Sequence, residues 1–334
     1  MNNYSQYLEQ FSHLSVAVIG DLMIDRYIFG QATRISPEAP VPIVLVQKEN
    51  AVPGGAANVA RNILSLHGNV TVFGRIGVDN SGKHLQDLLR TAGAKIDGII
   101  TRSEFPTTEK TRLLADNQQI ARIDRENTHV LSEKTQELLL QKLENAIENH
   151  KIQAIILEDY AKGCLTFSFI QEIIKIAEKH HIFVTLDPHP ANNFQIPGLH
   201  LMTPNRKEAF ALANVPYSPG INRPLQDNAL LKTGAIIMQT WQPKNLLVTL
   251  GDEGMILFRA KDLHPLHIPT QAQQVFDVSG AGDTVMATMT LALLAGANPF
   301  DAAAIANHAA GIVIGQIGTA AISYQTLLDK IQNK

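Results

Sequence analysis

The 334-residue chain reads as a doubly wound α/β domain: a mostly parallel sheet flanked by helices, carrying a small antiparallel β-sheet as a lid. Three observations predict this. Short apolar runs alternate with helical segments over most of the length, which implies parallel strands covered on both faces. Acids and glycines recur just after those runs, where the carboxyl-end crevice of an open sheet gathers ligands. The alternation is interrupted at about 26–50 and 96–125, whose strands are too few to stand alone and must cover something.

Composition sets the bounds. Hydrophobic residues make up 45%, charged residues 18%, and the formal net charge is −3. Neither nucleic acid nor an anionic membrane surface is an expected partner for such a chain. No linker divides the sequence, so residues 1–334 are expected to form a single domain. Met1–Ser12 has no apolar core of a signal peptide, and no apolar run reaches the ~18 residues of a membrane span. Cys164 is the one cysteine. It rules out an internal disulfide and suits a reducing cytoplasm.

Taken in order, Ser15–Gly20 is a buried strand ending at Asp21, which reads as a functional acid or a plain turn residue. Thr33–Pro42 is proline-rich, and Ile43–Gln47 behind it belongs to the small sheet. Gly54-Gly55-Ala56-Ala57-Asn58 opens a helix that runs to His67. Its small residues admit either a ligand or the neighbouring sheet, and Asn58 offers a donor and an acceptor to a pair of sugar hydroxyls. Asn69–Gly77 is a strand and Ser81–Gly93 a helix with a glycine stop. Ile96–Ile100 and Thr107–Arg125 break the pattern. Thr107–Ala115 and Gln118–Asp124 flank Asp116-Asn117 as a hairpin and complete the lid with 43–47.

Regular alternation then resumes. Helix Ser132–His150 precedes strand Ala154–Leu157, which ends in Glu158-Asp159-Tyr160-Ala161-Lys162-Gly163. Helix Phe167–His180 and strand Phe183–Leu186, ending in Asp187-Pro188, come next, followed by a brief strand at His200–Thr203. In Pro204–Phe210, Asn205 and Glu208 lie one turn apart, as a ligand pair or as a capping box. A helix near Pro224–Gln239, strand Leu246–Leu250, the turn Gly251–Gly254 and a hairpin from Met255–Arg259 precede three closing helices at 283–296, 300–315 and 323–332.

The chemistry concentrates at Val275–Thr284. A β-type segment runs into Gly280-Ala281-Gly282, and a helix opens on Asp283. Unpaired N–H donors and the positive end of the helix dipole make that point an anion site suited to phosphate. A carboxylate there repels phosphate, unless it takes the proton from whatever attacks the phosphate. The reading is phosphoryl transfer with Asp283 as general base. Rival chemistries lack their residues. There is no P-loop, and the dinucleotide fingerprint misses its third glycine. The acid about 20 residues on, Asp301, lies in a helix rather than after a strand. None of the 12 histidines has metal-site spacing. The Gly-x-Ser-x-Gly of the hydrolases is missing too.

Gly54–Asn58, with Gly74 and Gly77, resembles the first signature of the ribokinase-like (PfkB) sugar kinases, and Asp277–Asp283 resembles the second. Both occur in the right order and together span nearly the whole chain. Gly20–Tyr27, Arg34–Pro42, Asn117–Gln119 and Asp159–Gly163 resemble the branch acting on D-glycero-β-D-manno-heptose 7-phosphate. The resemblance implies ATP as donor, Mg²⁺, and Asp283 as base over an anion hole of Gly280, Ala281 and Gly282. It implies Asn205 and Glu208 on Mg²⁺ through water, with Arg206 and Lys207 beside them. Thr249, Gly251, Gly254 and Asn307 would surround the nucleotide, and Asp21, Gly54, Gly55 and Asn58 the sugar. Arg112, Lys162 and Arg34 are candidates for the acceptor's own phosphate. The implied product is the 1,7-bisphosphate used in ADP-heptose and lipopolysaccharide core synthesis. A homodimer is expected from self-pairing of the lid sheet, and a separate nucleotidyltransferase is an expected partner because the chain ends after the kinase. Another acceptor (hexose phosphate, ribose or a nucleoside) and a non-catalytic sugar or nucleotide sensor are the alternatives.

Overall fold

Ser15–Gly20 carries apolar residues on both faces, and such a strand is stable only when covered from both sides. It lies in the middle of the large sheet. The computed structural model describes residues 4–116, 118–271, 279–315 and 321–332. Its N-terminal half runs α1 (Ser5–Leu8), β1 (Ser15–Gly20), β2 (Leu22–Ile35), β3 (Pro42–Gly55), α2 (Ala56–Ser65), β4 (Asn69–Gly77) and α3 (Asn80–Thr91). Next come β5 (Lys95–Arg102), β6 (Thr108–Ala115), β7 (Gln118–Arg125), α4 (Glu133–His150), β8 (Ala154–Glu158), α5 (Phe167–Lys179) and β9 (Phe183–Asp187). The rest is β10 (Leu201–Met202), α6 (Arg206–Leu212), α7 (Asn228–Thr240), β11 (Asn245–Thr249), β12 (Met255–Arg259), β13 (Asp262–Ile268), α8 (Ala281–Leu294), α9 (Pro299–Val313) and α10 (Tyr324–Gln332).

Among the described residues, nine strands form one sheet in the order β13-β12-β11-β10-β9-β8-β1-β4-β5. Pairing is parallel from β5 to β11 and antiparallel at β12 and β13. The chain order reverses at β1, flanked by β4 and β8, and a switch of this kind opens a crevice at the strands' carboxyl ends. One core fills the face covered by α2, α8, α9 and α10. A second fills the face covered by α4, α5, α6 and α7. Helix α8 is apolar on every side, and it is buried from Asp283 to Ala292, packed between α2 and α9.

A second sheet, β3-β2-β6-β7, stands apart. Its outer pairs, β2–β3 and β6–β7, are antiparallel, while β2 and β6 run parallel. Two expectations need correcting here. Residues 96–102 do not belong to this sheet, because β5 pairs in parallel with β4 at the edge of the large one. Its apolar positions Ile96, Ile99 and Ile100 face cores on both sides of that sheet. The segment expected as the short strand 43–47 is a 14-residue strand, and it faces an equally long β2. That pairing lets both strands continue past their apolar stretch. Asn117 and the β-type segment 275–278 lie outside the described residues.

Candidate active site

Gly280 begins α8 in a left-handed conformation, φ 81°, which a side chain would oppose. The turn places Asp283 in the first helical turn, buried. Both of its carboxylate oxygens are engaged. Asn58 Nδ2 donates to Oδ2 at 2.6 Å, and the Tyr160 hydroxyl donates to Oδ1 at 2.6 Å. One turn further along α2, Asn62 Oδ1 accepts from Thr284 Oγ1, the residue after Asp283, at 3.0 Å. The two glycine-led helix starts, α2 and α8, are thus locked face to face by polar pairs. Burial pushes Asp283 above the usual carboxylate range, with the Asp25 charge adding to it, while the bonds from Tyr160 and Asn58 pull back. A carboxyl so balanced is poised as a proton acceptor.

Asp21 does different work from that expected. It is buried, and its carboxylate accepts from the backbone N–H of Tyr160 (2.9 Å), Lys162 (3.0 Å) and Cys164 (3.0 Å). It therefore clamps the loop after β8 that carries Tyr160. Arg75 holds the same loop by donating to the Lys162 carbonyl at 3.1 Å. Ala161 sits there at φ 54°, strain that persists because these contacts over-determine the loop. Asp25, four residues further along the chain in β2, is buried as well and stands against Gly54. A Cβ on Gly54 would stand 2.4 Å from Asp25 Oδ2, so the bare glycine is what admits that carboxylate. Gly55 takes the positive φ, 55°, that starts α2. Asp25 also pairs with Arg112 Nη1 at 2.6 Å.

On the other side of Asp283 lies an acidic group that sequence reasoning left unassigned. Glu158 and Asp187 are register partners at the ends of β8 and β9. Together with Asp283 they present carboxylate oxygens within 4.8 Å of one another. Glu158 is fully buried and neither of its oxygens has a partner among the described residues. Burial pushes Glu158 and Asp187 well above the ordinary carboxylate range, and their mutual charges with Asp283 and Glu208 push the same way. Uncompensated buried carboxylates of this kind fit a divalent cation with oxygen ligands. Among the described residues, a Cβ on Gly282 would meet only Asp187 Oδ2, at 3.9 Å.

The expected nucleotide-side residues divide. Asn205 and Glu208 do form a capping box: Glu208 N–H donates to Asn205 Oδ1 at 3.0 Å, and Asn205 N–H to Glu208 Oε2 at 2.8 Å. Glu208 still adds its charge to the acidic group. Arg206 is removed from the site. It is buried, donating to the Ser218 and Pro219 carbonyls and to Asp227 Oδ2 at 2.5 Å. Lys207 is exposed. Thr249 bridges to Asn205. Asn307 Nδ2 donates to the Pro269 carbonyl at 2.6 Å, and Gly254 packs against the same backbone, so α9 meets the β11–β12 turn with its exposed Gly251. Arg34 is exposed, seven residues beyond Tyr27 on β2, which at ~3.3 Å per residue puts it over 20 Å along the strand. Lys162 pairs with Glu126 at 2.7 Å.

Residues 13–327 match the model of the pfkB family of carbohydrate kinases. The chain is 37% identical over its whole length to a Bifunctional protein HldE of Desulfatibacillum aliphaticivorans, and 39% identical over 94% of its length to one of Geobacter sulfurreducens. It spans 66% and 62% of those relatives, about two thirds of their length. Among solved structures, an Arabidopsis thaliana ribokinase complexed with ribose and ATP is similar at TM-score 0.70 and 20% identity, covering 96% of this chain and 98% of that one. Phosphofructokinase-2 from Escherichia coli, in complex with potassium, is similar at TM-score 0.76 and 19% identity with the same coverage. At those identities the likeness speaks for the fold.

Proposed function

Because the chain belongs to the pfkB family of ATP-dependent carbohydrate kinases, we propose that it transfers the γ-phosphoryl group of ATP to the anomeric hydroxyl of D-glycero-β-D-manno-heptose 7-phosphate. The observation that carries the catalytic part is Asp283: a buried carboxylate with raised proton affinity, set in the first turn of α8 beside Gly280–Gly282. In the proposed reaction the sugar hydroxyl replaces the Tyr160 hydroxyl or the Asn58 amide on Asp283 and gives its proton to the carboxylate. The backbone N–H groups opening α8 take the charge of the phosphoryl group in transfer. Asp25 holds a neighbouring sugar hydroxyl in the space that Gly54 leaves open. Positioned donors of this kind are worth about 10²–10³ in rate each.

Mg²⁺, when bound, would neutralise charge on the phosphates of ATP. Glu158, Asp187 and Glu208 are the residues to hold it, and the two unpartnered oxygens of Glu158 support that fit. This reading shifts the weight from Asn205, whose side chain is committed to its helix cap.

The heptose phosphate assignment rests on the branch-like stretches Gly20–Tyr27 and Asp159–Gly163 and on basic residues around the cleft, Arg112 and Lys162 among them. On this reading the 1,7-bisphosphate passes to a nucleotidyltransferase in the cytoplasm. No described helix is long and apolar enough to cross a membrane. The small sheet would act as a lid and as a homodimer contact, since Ile35, Leu45, Val46 and Ile123 stand exposed on it. ADP release measured across a panel of sugars and sugar phosphates tests the assignment. Selective turnover of the heptose 7-phosphate supports it, and equal or greater turnover of ribose or a hexose phosphate refutes it.

A further inference from the structure

Four basic side chains converge on one side of the small sheet. Register pairing sets Asp25 and Tyr27 of β2 beside Lys110 and Arg112 of β6, and Arg112 beside Arg122 of β7. Residues paired across a ladder share a face. Lys162 adds its charge from the loop after β8. Three of the four are matched by an acid: Arg112 by Asp25 (2.6 Å), Lys162 by Glu126 (2.7 Å) and Arg122 by Asp124 (2.9 Å).

Lys110 differs. It is half-buried, makes no ion pair among the described residues, and holds its ammonium 5.6 Å from the centre of the Tyr160 ring. Burial, then the neighbouring cations Lys162, Arg112 and Arg122, hold it below the ordinary lysine range, with Asp25 opposing. Its ladder neighbours Asp25 and Asp124 are paired with Arg112 and Arg122, so an ammonium withdrawn from water there gains from an added anion. The hydroxyl of that same tyrosine donates to Asp283. One phenol ring therefore separates the unmatched cation from the base, so a sugar reacting at Asp283 would lay its far end on Lys110.

We propose that Lys110 is the principal ligand of a phosphate monoester on the acceptor, at the end remote from the reacting hydroxyl, and that it selects phosphorylated over unphosphorylated sugars. This rests on the sugar-phosphate reading above and names the residue that enforces it. Arg112 and Lys162, already paired, contribute attraction at longer range.

The test compares kcat/KM for heptose 7-phosphate and for the same heptose without its phosphate, in the wild type, Lys110→Met and Lys110→Arg. Methionine keeps an unbranched apolar stem of similar length and removes the charge. Loss of one charged contact predicts a fall of about 10- to 100-fold in kcat/KM on the phosphorylated acceptor, carried by KM. Turnover of the unphosphorylated sugar, the KM for ATP and the melting temperature should hold, and Lys110→Arg should recover part of the loss. Inorganic phosphate should compete with the sugar phosphate in the wild type and far less in Lys110→Met. A wild type with no preference for the phosphorylated sugar overturns the functional reading and this inference together. A preferring wild type whose preference survives in Lys110→Met overturns the Lys110 assignment alone.

Discussion

Asp283→Asn removes one proton acceptor and little else. Asn fills the same volume, and its amide oxygen can still accept from the Tyr160 hydroxyl that now lies 2.6 Å from the carboxylate. Its new NH2 group would meet the Asn58 amide donor, but the Asn58 Oδ1 is buried without a partner among the described residues. A flip of the Asn58 amide turns that oxygen toward the new donor and leaves its NH2 where the unpartnered oxygen stood, so the number of unsatisfied groups is unchanged. The change also takes one negative charge away from Glu158 and Asp187, each of which is pushed up by Asp283. The fold is therefore expected to hold or gain stability. Loss of a positioned base costs about 10²–10⁴ in rate, or about 3–5 kcal/mol of barrier. The assay is steady-state ADP release with saturating ATP, alongside a melting curve and ATP titration. A kcat reduced in that range, with melting temperature and ATP affinity kept, is the expected result. Wild-type kcat in the variant refutes the base assignment. A collapse of the melting temperature refutes the claim that Asp283 is held for chemistry rather than for the α2–α8 contact.

Further outcomes follow from the same geometry. Tyr160→Phe deletes one of the two bonds that orient Asp283 and is expected to lower kcat about 10-fold, within the range of a charge-assisted hydrogen bond, with the KM for ATP unchanged; steady-state kinetics check it. Gly54→Ala drives a Cβ into Asp25, so the sugar KM should rise at least tenfold while ATP binding stays the same; isothermal titration with each ligand separates the two. Burial pushes Glu109 up, but Arg26, Ser81 and Thr111 outweigh it and bring it to about 2 from an ordinary 4.5. A carboxylate depressed in the folded state contributes stability above its unfolded value and loses it as pH falls. The melting-temperature difference between the wild type and Glu109→Gln should thus be full at pH 7 and fade as pH falls from 4.5 towards 2. Leu45→Asp with Ile123→Asp should abolish self-association through the small sheet, read by light scattering; a wild type that is already monomeric at micromolar concentration contradicts the proposed dimer.

What could be read in advance was local. Gly280–Asp283 and Gly54–Asn58 stand out because a tight turn, a helix start and the candidate side chain are contiguous. The alternation of elements likewise follows from periodicity alone. The position of Asp25 is not legible in the sequence because it depends on pairing: β2 must lie against β3 to set Asp25 over Gly54, and against β6 to set it by Lys110. Glu158 and Asp187 stood visibly at strand ends, yet their union needs the parallel register of β8 and β9. Arg206 misled in the opposite sense. Its neighbours suggested the nucleotide, but its long side chain reaches Asp227, 21 residues on. β5 reads as an interruption because an edge strand lacks the continuous apolar run of a central one.

The most direct measurement is a crystal structure of the ternary complex with the heptose 7-phosphate and a non-hydrolysable ATP analogue. The account predicts the anomeric oxygen at hydrogen-bond distance from Asp283, roughly 2.6–3.2 Å, and the terminal phosphate of the analogue against the amides of 280–283. An acceptor bound with its anomeric oxygen beyond reach of Asp283, or a nucleotide whose phosphates avoid the start of α8, would contradict it.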